Sequence, residues 1–124
     1  MIKVLVVDDS ALTRKLFGGV LANESDLAVR TARDGFEALE QLEAFRPDVI
    51  TLDVHMPGMN GFDVQSRLAD DPTGKIAVIA ITAHDTVASQ QRVMAAGAAA
   101  YLRKPVDAQS LLGAIRSAIG MPAP

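Results

Sequence analysis

The feature that most constrains the fold is an alternation of two kinds of segment along the chain. Short apolar runs are followed each time by a longer stretch whose apolar residues recur at helical spacing. The runs predict strands at 2–7, 27–32, 49–52, 76–81 and 98–102, and the longer stretches predict helices at 11–21, 36–45, 62–68, 86–96 and 108–119. Such alternation requires right-handed crossovers, so we predict an α/β domain in which helices cover both faces of a parallel sheet.

The first, third and fourth predicted strands are the most continuously apolar, which is typical of strands buried in the middle of a parallel sheet. The strand at 27–32 alternates between apolar and more polar residues, as an edge strand does. These patterns favour a single doubly wound five-stranded parallel sheet with the order 2-1-3-4-5, flanked by five helices in a flavodoxin-like arrangement.

The predicted helices also carry start and stop signals. Ser10 or Asp9 is placed to cap the first helix, Asp107 to cap the last, and Gly97 to end the fourth. The apolar residues expected to face inward include Leu12, Leu16, Phe17, Val20 and Leu21 in the first helix and Val87, Val93 and Met94 in the fourth.

Composition limits the classes of function. The 124 residues fit one domain, predicted to span 1–120, with 121–124 as a tail or the start of a linker. A net charge of −3 without a basic stripe argues against direct binding of nucleic acid. No apolar run approaches the roughly 20 residues that span a bilayer, and no signal-peptide pattern opens the chain. The absence of cysteine excludes disulfides and thiolate metal sites, so we predict a cytoplasmic protein without membrane contact.

Four of the five predicted strands end in a residue with chemical capability. Asp8 and Asp9 follow the first strand, Asp53 the third, Thr82 the fourth and Lys104 the fifth. Taken singly, each has an ordinary explanation: a helix cap, a strand-end residue or a solvated surface charge. Independent causes would rarely place all of them at the carboxyl edge of one sheet, where ligands of open α/β folds bind.

Three carboxylates at one edge repel one another, and the pKa of at least one would rise without a counter-charge. A divalent cation removes this repulsion, and Mg²⁺ prefers one or two carboxylates together with waters and a phosphoryl oxygen. We therefore predict Mg²⁺ as the cofactor, with Mn²⁺ as an alternative. A lysine facing the same pocket is suited to an incoming phosphoryl group.

At this point the chain resembles the receiver domains of two-component response regulators, the CheY-like superfamily, over essentially its whole length. The motifs that carry the resemblance are VVDDS at 6–10, DGFEAL at 34–39, PDVITLDVHMPGMNG at 47–61, and AGA at 96–98 running on to YLRKP at 101–105. Together, at these spacings, the motifs are highly specific.

The resemblance implies a role for each site residue. Asp53 would be the phosphoacceptor, with Asp9, Asp53 and the main-chain carbonyl of His55 binding Mg²⁺ directly and Asp8 acting through water. Lys104 would bind the phosphoryl group, and its bond to Pro105 would be cis. Thr82 and Tyr101 would form the switch pair.

The implied function is that of a phosphorylation-activated signalling domain, not of an enzyme with a separate substrate. Such a domain catalyses its own phosphorylation and dephosphorylation, taking the phosphoryl group from a sensor histidine kinase or phosphotransfer protein. Its output face, made by the fourth helix, fifth strand and fifth helix, would then control a partner protein or an attached domain. The three alanines at 98–100 replace the acidic residue typical of dimerising winged-helix regulators, which favours a monomer or a weak phosphorylation-dependent dimer.

The two histidines, His55 and His84, stand two residues beyond Asp53 and Thr82. In the resembled family these positions flank the phosphoryl group and tune the access of water. Because imidazole titrates near neutrality, we hypothesise that the pair makes the lifetime of the aspartyl phosphate depend on pH. Two exposed loop histidines with little effect are the alternative.

Three other functions compete with a phosphorylated receiver. A phosphatase of the haloacid dehalogenase kind would have its nucleophile after the first strand and a second aspartate where His55 stands. A flavin-binding domain would need a phosphate-cradling loop where Asp8 and Asp9 would repel the phosphate. A degenerate receiver would lack the complete acidic cluster. Residues 47–61 look particularly like the receiver of chemotaxis methylesterases, while a stand-alone regulator or a hybrid-kinase receiver fits the rest equally well.

Overall fold

A computed structural model describes residues 1–55, 61–69, 76–83 and 86–120, apart from the side chains of residues 61, 62 and 69. Within these residues strands and helices alternate along the chain. The strands are β1 (Ile2–Val7), β2 (Leu27–Ala32), β3 (Val49–Asp53), β4 (Ala77–Thr82) and β5 (Ala100–Arg103). The helices are α1 (Ala11–Ala22), α2 (Gly35–Ala44), α3 (Gly61–Ala69), α4 (Val87–Ala95) and α5 (Ala108–Ala118).

The strands form one parallel sheet in the order β2-β1-β3-β4-β5, which confirms the predicted topology. The parallel register sets Val7 beside Leu52 and Asp53 beside Ile81. Because the strands run in the same direction, their carboxyl ends share one edge of the sheet. Among the described residues, no helix is long and apolar enough to cross a bilayer.

The core lies in layers on the two faces of the sheet. On one face, Phe17 and Leu21 of α1 pack with Leu111 and Ile115 of α5 over the sheet. On the other face, one cluster lies under α2 and α3, and a separate cluster lies under α4. The members of the α4 cluster are Val54, Ala80, Val93, Ala98 and the partly buried Tyr101.

Two of the predicted inward faces are partly wrong. Leu12 and Leu16 are 67% and 57% exposed, because the buried row of α1 is the one through Phe17 and Leu21. Residues at i and i+4 share a row along a helix, so Leu12 and Leu16 point away together. In α4, Val87 and Met94 are likewise exposed, and Val93 makes the buried contact with the sheet.

The helix ends follow the predicted caps. Ser10, not Asp9, caps α1 by accepting a hydrogen bond from the amide of Thr13, and Asp107 caps α5 by accepting from the amide of Ser110. Gly97 follows α4 with a φ of 98°, a left-handed conformation that a residue with a Cβ rarely adopts.

The sequence gives no sign that Arg116 of α5 is buried. Its guanidinium bonds both carboxylate oxygens of Asp26, at 2.8 and 3.1 Å, and one oxygen of Glu24 at 3.1 Å. Asp26 and Glu24 lie just before β2, so this group, here named the arginine cluster, fastens α5 at the amino edge of the sheet.

Candidate functional site

The residues predicted to form the site come together at the carboxyl edge of the sheet. Asp8 and Asp9 follow β1, Asp53 is the last residue of β3, and Lys104 follows β5. Each of the three aspartates offers a carboxylate oxygen within 4.8 Å of the others, and the Lys104 ammonium lies against two of them. We name this group of three aspartates and one lysine the aspartate pocket.

The Asp53 carboxylate is almost fully buried, with the residue 5% exposed. One oxygen accepts a hydrogen bond from the amide of His55 at 3.0 Å, and the other lies 3.4 Å from the Nζ atom of Lys104. Burial raises the pKa of Asp53, and the charge of Asp8 adds to the rise, while the His55 amide and Lys104 oppose it. Ionisation of Asp53 in this pocket therefore carries an electrostatic cost.

Asp8, not Asp53, is the nearer partner of Lys104. The ammonium lies 2.7 Å from one Asp8 oxygen, and the other Asp8 oxygen accepts from the amide of Ser10 at 2.8 Å. Burial by itself lowers the pKa of Lys104, but the hydrogen bond to Asp8 and the charges of Asp53 and Asp8 raise it. The lysine is therefore charged and bridges two carboxylates.

One ammonium group among three carboxylates leaves the aspartate pocket negative. The side-chain atoms that could bind a metal in this pocket are all hard carboxylate oxygens, the ligands that Mg²⁺ and Mn²⁺ prefer. Oxygens on opposite sides of a magnesium ion lie roughly 4 Å apart, so a cluster within 4.8 Å needs little adjustment to share one ion. The residues present therefore fit a divalent cation.

Thr82 and Tyr101 lie on the side of the sheet that α4 covers. Thr82 ends β4 and is fully buried, and its carbonyl accepts from the amide of Lys104 at 2.8 Å. Two residues earlier, Ala80 pairs with Tyr101 of β5 and shares a face with Thr82. The Tyr101 ring packs in the α4 cluster with its hydroxyl oxygen buried, so the tyrosine points inward.

A groove of about 340 Å³ opens beside the aspartate pocket. Its lining comprises Thr13, Leu16, Phe17, Lys104, Pro105 and Val106. The peptide bond between Lys104 and Pro105 is cis, as the resemblance implies. Because Lys104 belongs to both groove and pocket, the α1 side offers a partly apolar approach to the site.

Two predicted histidines and one arginine that the sequence analysis did not predict also belong to the description of the site. His55 is exposed, with its Nε2 atom 3.4 Å from the hydroxyl of Ser89 on α4, whereas His84 lies outside the described residues. Arg14 was missed: its guanidinium donates to the main-chain carbonyl of Asp8 at 2.8 Å and so holds the loop after β1. Its place one turn beyond the Ser10 cap is the only signal in the sequence, and many surface arginines share it.

Comparison with known proteins gives a consistent match. The family model for the response regulator receiver domain matches residues 4–116. A protein-glutamate methylesterase/protein-glutamine glutaminase 2 from Rhodopseudomonas palustris is 41% identical over 111 residues, covering 90% of this chain and 30% of the relative. The chain thus spans less than a third of that methylesterase's length.

In two further matches, the alignment covers almost the whole of this chain and of the matched protein. The polar-differentiation response regulator DivK from Brucella anthropi is 34% identical, with 94% of this chain and 95% of the relative covered. The crystal structure of the response regulator domain of Thermotoga maritima CheB superposes with a TM-score of 0.86 at 30% identity, covering 98% of each chain.

Proposed function

Because the chain belongs to the family of response regulator receiver domains, which are phosphorylation-regulated signalling domains, we propose that Asp53 is the residue that accepts the phosphoryl group. The observation that carries the proposal is the environment of the Asp53 carboxylate. It ends a central strand beside two further carboxylates, and one of its oxygens lies 3.4 Å from the Lys104 ammonium. A nucleophile and a group that binds phosphoryl oxygens are thus side by side.

We propose a phosphohistidine of a sensor histidine kinase or phosphotransfer protein as the donor. One oxygen of the Asp53 carboxylate attacks the phosphorus atom, an O–P bond forms, and the N–P bond of the phosphohistidine breaks. The electron pair of that bond returns to the imidazole nitrogen, and the product is an aspartyl phosphate. Phosphoryl transfer depends mainly on such positioning and on charge stabilisation, so little other chemistry is needed.

Lys104 is positioned to turn from Asp8 and Asp53 towards the incoming phosphoryl group, to which it donates hydrogen bonds. Asp9, Asp53 and the main-chain carbonyl of His55 would hold Mg²⁺ or Mn²⁺, with Asp8 acting through a water molecule. When bound, the ion supplies positive charge that offsets the charge of the phosphoryl oxygens. Asp8 and Asp9 would thus contribute by holding the ion beside Asp53.

Hydrolysis would reverse the modification in the same pocket. The oxygen of a water molecule forms a bond to the phosphorus atom while the O–P bond to Asp53 breaks. The aspartate leaves as a carboxylate, and inorganic phosphate and a proton are released. The chain would in this sense catalyse its own phosphorylation and dephosphorylation. That His55 and His84 tune the rate of the second step stays a prediction.

The output of the switch is proposed to pass through Thr82 and Tyr101. The phosphoryl group of an aspartyl phosphate carries close to two negative charges and three acceptor oxygens, which the Thr82 hydroxyl can approach. Because Thr82 and Tyr101 share the face under α4, a shift of Thr82 changes the space available to the tyrosine. The α4–β5–α5 surface would then engage a partner protein in the cytoplasm or an attached domain.

Substitution of Asp53 tests the proposal. We expect Asp53→Asn to abolish phosphate incorporation from a small acyl phosphate with Mg²⁺, because an amide is not a nucleophile for phosphorus. Intact-mass spectrometry measures the gain of one phosphoryl group. Asp26→Asn is the matched control, since it makes the same chemical change in the arginine cluster. Undiminished labelling of Asp53→Asn would show that the acceptor is another residue.

A further inference from the structure

One polar side chain outside the aspartate pocket is buried between two apolar clusters. Gln65, in α3, is 2% exposed and follows Val64, a member of the cluster under α2 and α3. Its Nε2 atom donates to the main-chain carbonyl of Val93 in α4 at 2.9 Å. Its Oε1 atom is buried, with no hydrogen-bond partner in the described part of the chain. Within the described residues, this amide is therefore only half satisfied.

A half-satisfied buried amide costs stability, because the side chain loses its hydrogen bonds to water and regains only some of them. An apolar residue of similar length would fill the same space without that cost. Stability therefore does not explain a glutamine at this position, and its hydrogen bond to α4 is the feature that an apolar residue could not supply.

The acceptor of that bond lies at a junction. The carbonyl of Val93 also accepts from the amide of Ala98 at 3.1 Å, which closes the last turn of α4 before β5. The Val93 side chain is fully buried in the α4 cluster against Val54, Ala98 and Tyr101. Gln65 thus holds a segment that packs beside Tyr101 in the α4 cluster. Val54, another member of that cluster, is the residue next to Asp53.

We propose that Gln65 is a positioning residue that ties α4 to α3 and thereby sets how strongly the state of Asp53 is transmitted to Tyr101. The inference rests on the proposed function of Asp53, and it assigns a regulatory role to a residue that takes no part in the chemistry. Without the hydrogen bond, α4 keeps its apolar contact through Val93 but loses the buried polar link that Gln65 makes to it from α3.

The tyrosine itself supplies the probe, since the chain contains one tyrosine and no tryptophan. Protein labelled with 3-fluorotyrosine gives a fluorine NMR signal from Tyr101 alone. The signal is recorded before and after phosphorylation by an acyl phosphate with Mg²⁺, in the wild type, in Gln65→Met and in the exposed neighbour Ser66→Ala as the control. Gln65→Leu is a second variant that shares the loss of the amide but differs in shape.

We expect Gln65→Met to take up one phosphoryl group as the wild type does and to unfold at an equal or higher urea concentration. The ratio between the Tyr101 signal typical of unphosphorylated protein and the signal typical of phosphorylated protein should differ from that of the wild type by about 2- to 30-fold, the usual range for a coupling residue. Ser66→Ala should match the wild type in every measurement. If Gln65 had only a structural role, the opposite result would follow: Gln65→Met would lose stability, and its Tyr101 response would be unchanged.

A Tyr101 response in both Gln65 variants equal to that of the wild type would overturn the inference and leave the role of Asp53 intact. If instead the wild type takes up no phosphoryl group, the proposed function fails. The role of Gln65 is then tested on unphosphorylated protein. An unchanged Tyr101 signal and an unchanged hydrogen-exchange rate of the Ala98 amide in Gln65→Met would then overturn the inference separately.

Discussion

The aspartate pocket and the arginine cluster are built from the same kinds of groups but differ in their balance. In the arginine cluster, one guanidinium serves the carboxylates of Asp26 and Glu24 with three hydrogen bonds of 2.8 to 3.1 Å. In the aspartate pocket, one ammonium bridges two carboxylates at 2.7 and 3.4 Å, and a third carboxylate lies beside them. One positive and two negative side chains give the arginine cluster a net charge of −1, whereas one positive and three negative side chains give the aspartate pocket a net charge of −2.

The pKa values follow this difference. The hydrogen bond from Arg116 lowers the pKa of Asp26, because the guanidinium favours the ionised carboxylate. Burial raises the pKa of Asp53 despite the nearby lysine. A planar guanidinium fits a carboxylate with two parallel bonds, whereas an ammonium acts as a point charge that can change partners. The difference supports the proposal that one cluster fastens the fold and the other accepts a cation and a phosphoryl group.

The largest expected difference between the clusters is in the rate of phosphorylation. We expect Lys104→Met to slow labelling by an acyl phosphate about 100- to 1000-fold, the usual cost of removing one donor that stabilises developing charge. Arg116→Met should leave the rate unchanged, because that guanidinium lies at the opposite edge of the sheet. Time courses by intact-mass spectrometry at saturating Mg²⁺ measure both rates.

Magnesium titration provides the control for a misfolded variant. Without the competing ammonium, Lys104→Met should bind Mg²⁺ at least about fivefold more tightly than the wild type, since two like charges roughly 4 Å apart repel by about 1 kcal/mol even in water. An unchanged labelling rate in Lys104→Met would contradict the claim that the aspartate pocket, unlike the arginine cluster, takes part in phosphorylation.

The next difference is an opposite effect on stability without metal. At pH 7 we expect Asp53→Asn to raise the free energy of unfolding by about 0.5–3 kcal/mol, because it removes a buried charge that the fold disfavours. Asp26→Asn should lower it, since the variant loses a carboxylate that Arg116 stabilises. Urea unfolding in the presence of EDTA measures both changes.

The pH dependence of these two effects has opposite signs. The folded-state pKa of Asp53 lies above the ordinary value of 3.8, so its contribution to stability is greatest below pH 3.8 and is lost as the pH rises through the folded pKa. The folded-state pKa of Asp26 lies below 3.8, so its contribution is present above pH 3.8 and is lost as the pH falls. Equal signs for the two variants at pH 7 would contradict the comparison.

The smallest expected effect separates the geometry of the arginine cluster from its charge. Arg116→Lys keeps the charge but cannot form the paired bonds to Asp26, so we expect a slightly lower midpoint of thermal unfolding and unchanged labelling. Arg33→Lys is the control, because Arg33 is 71% exposed and its pair with Glu37 contributes little. A midpoint equal to that of the wild type would mean that charge alone holds the cluster.

The fold was predictable because apolar runs and turn signals identify strands without knowledge of their neighbours. The strand order and the meeting of Asp8, Asp53 and Lys104 then follow from the rule that parallel strands share their carboxyl edge. The inward row of α1 was not predictable, since Leu16 and Phe17 are equally apolar and only packing against the sheet distinguishes them.

The buried polar contacts also could not be predicted from the sequence. Gln65 bonds a residue 28 positions away, and Arg116 bonds one 90 positions away, so no local pattern links the partners. Both residue types are usually exposed, which makes exposure the reasonable prediction for each. The preference of Lys104 for Asp8 over Asp53 likewise depends on distances that only the folded chain sets.

The most direct test of the central claim is a crystal structure of the wild-type chain with Mg²⁺ and beryllofluoride, a stable mimic of a phosphoryl group. The account predicts beryllium bound to a carboxylate oxygen of Asp53, Lys104 turned from Asp8 to a fluorine atom, and the ion held among Asp8, Asp9 and Asp53. A pocket in which Asp53 carries no beryllium while Lys104 keeps its 2.7 Å contact with Asp8 would contradict it.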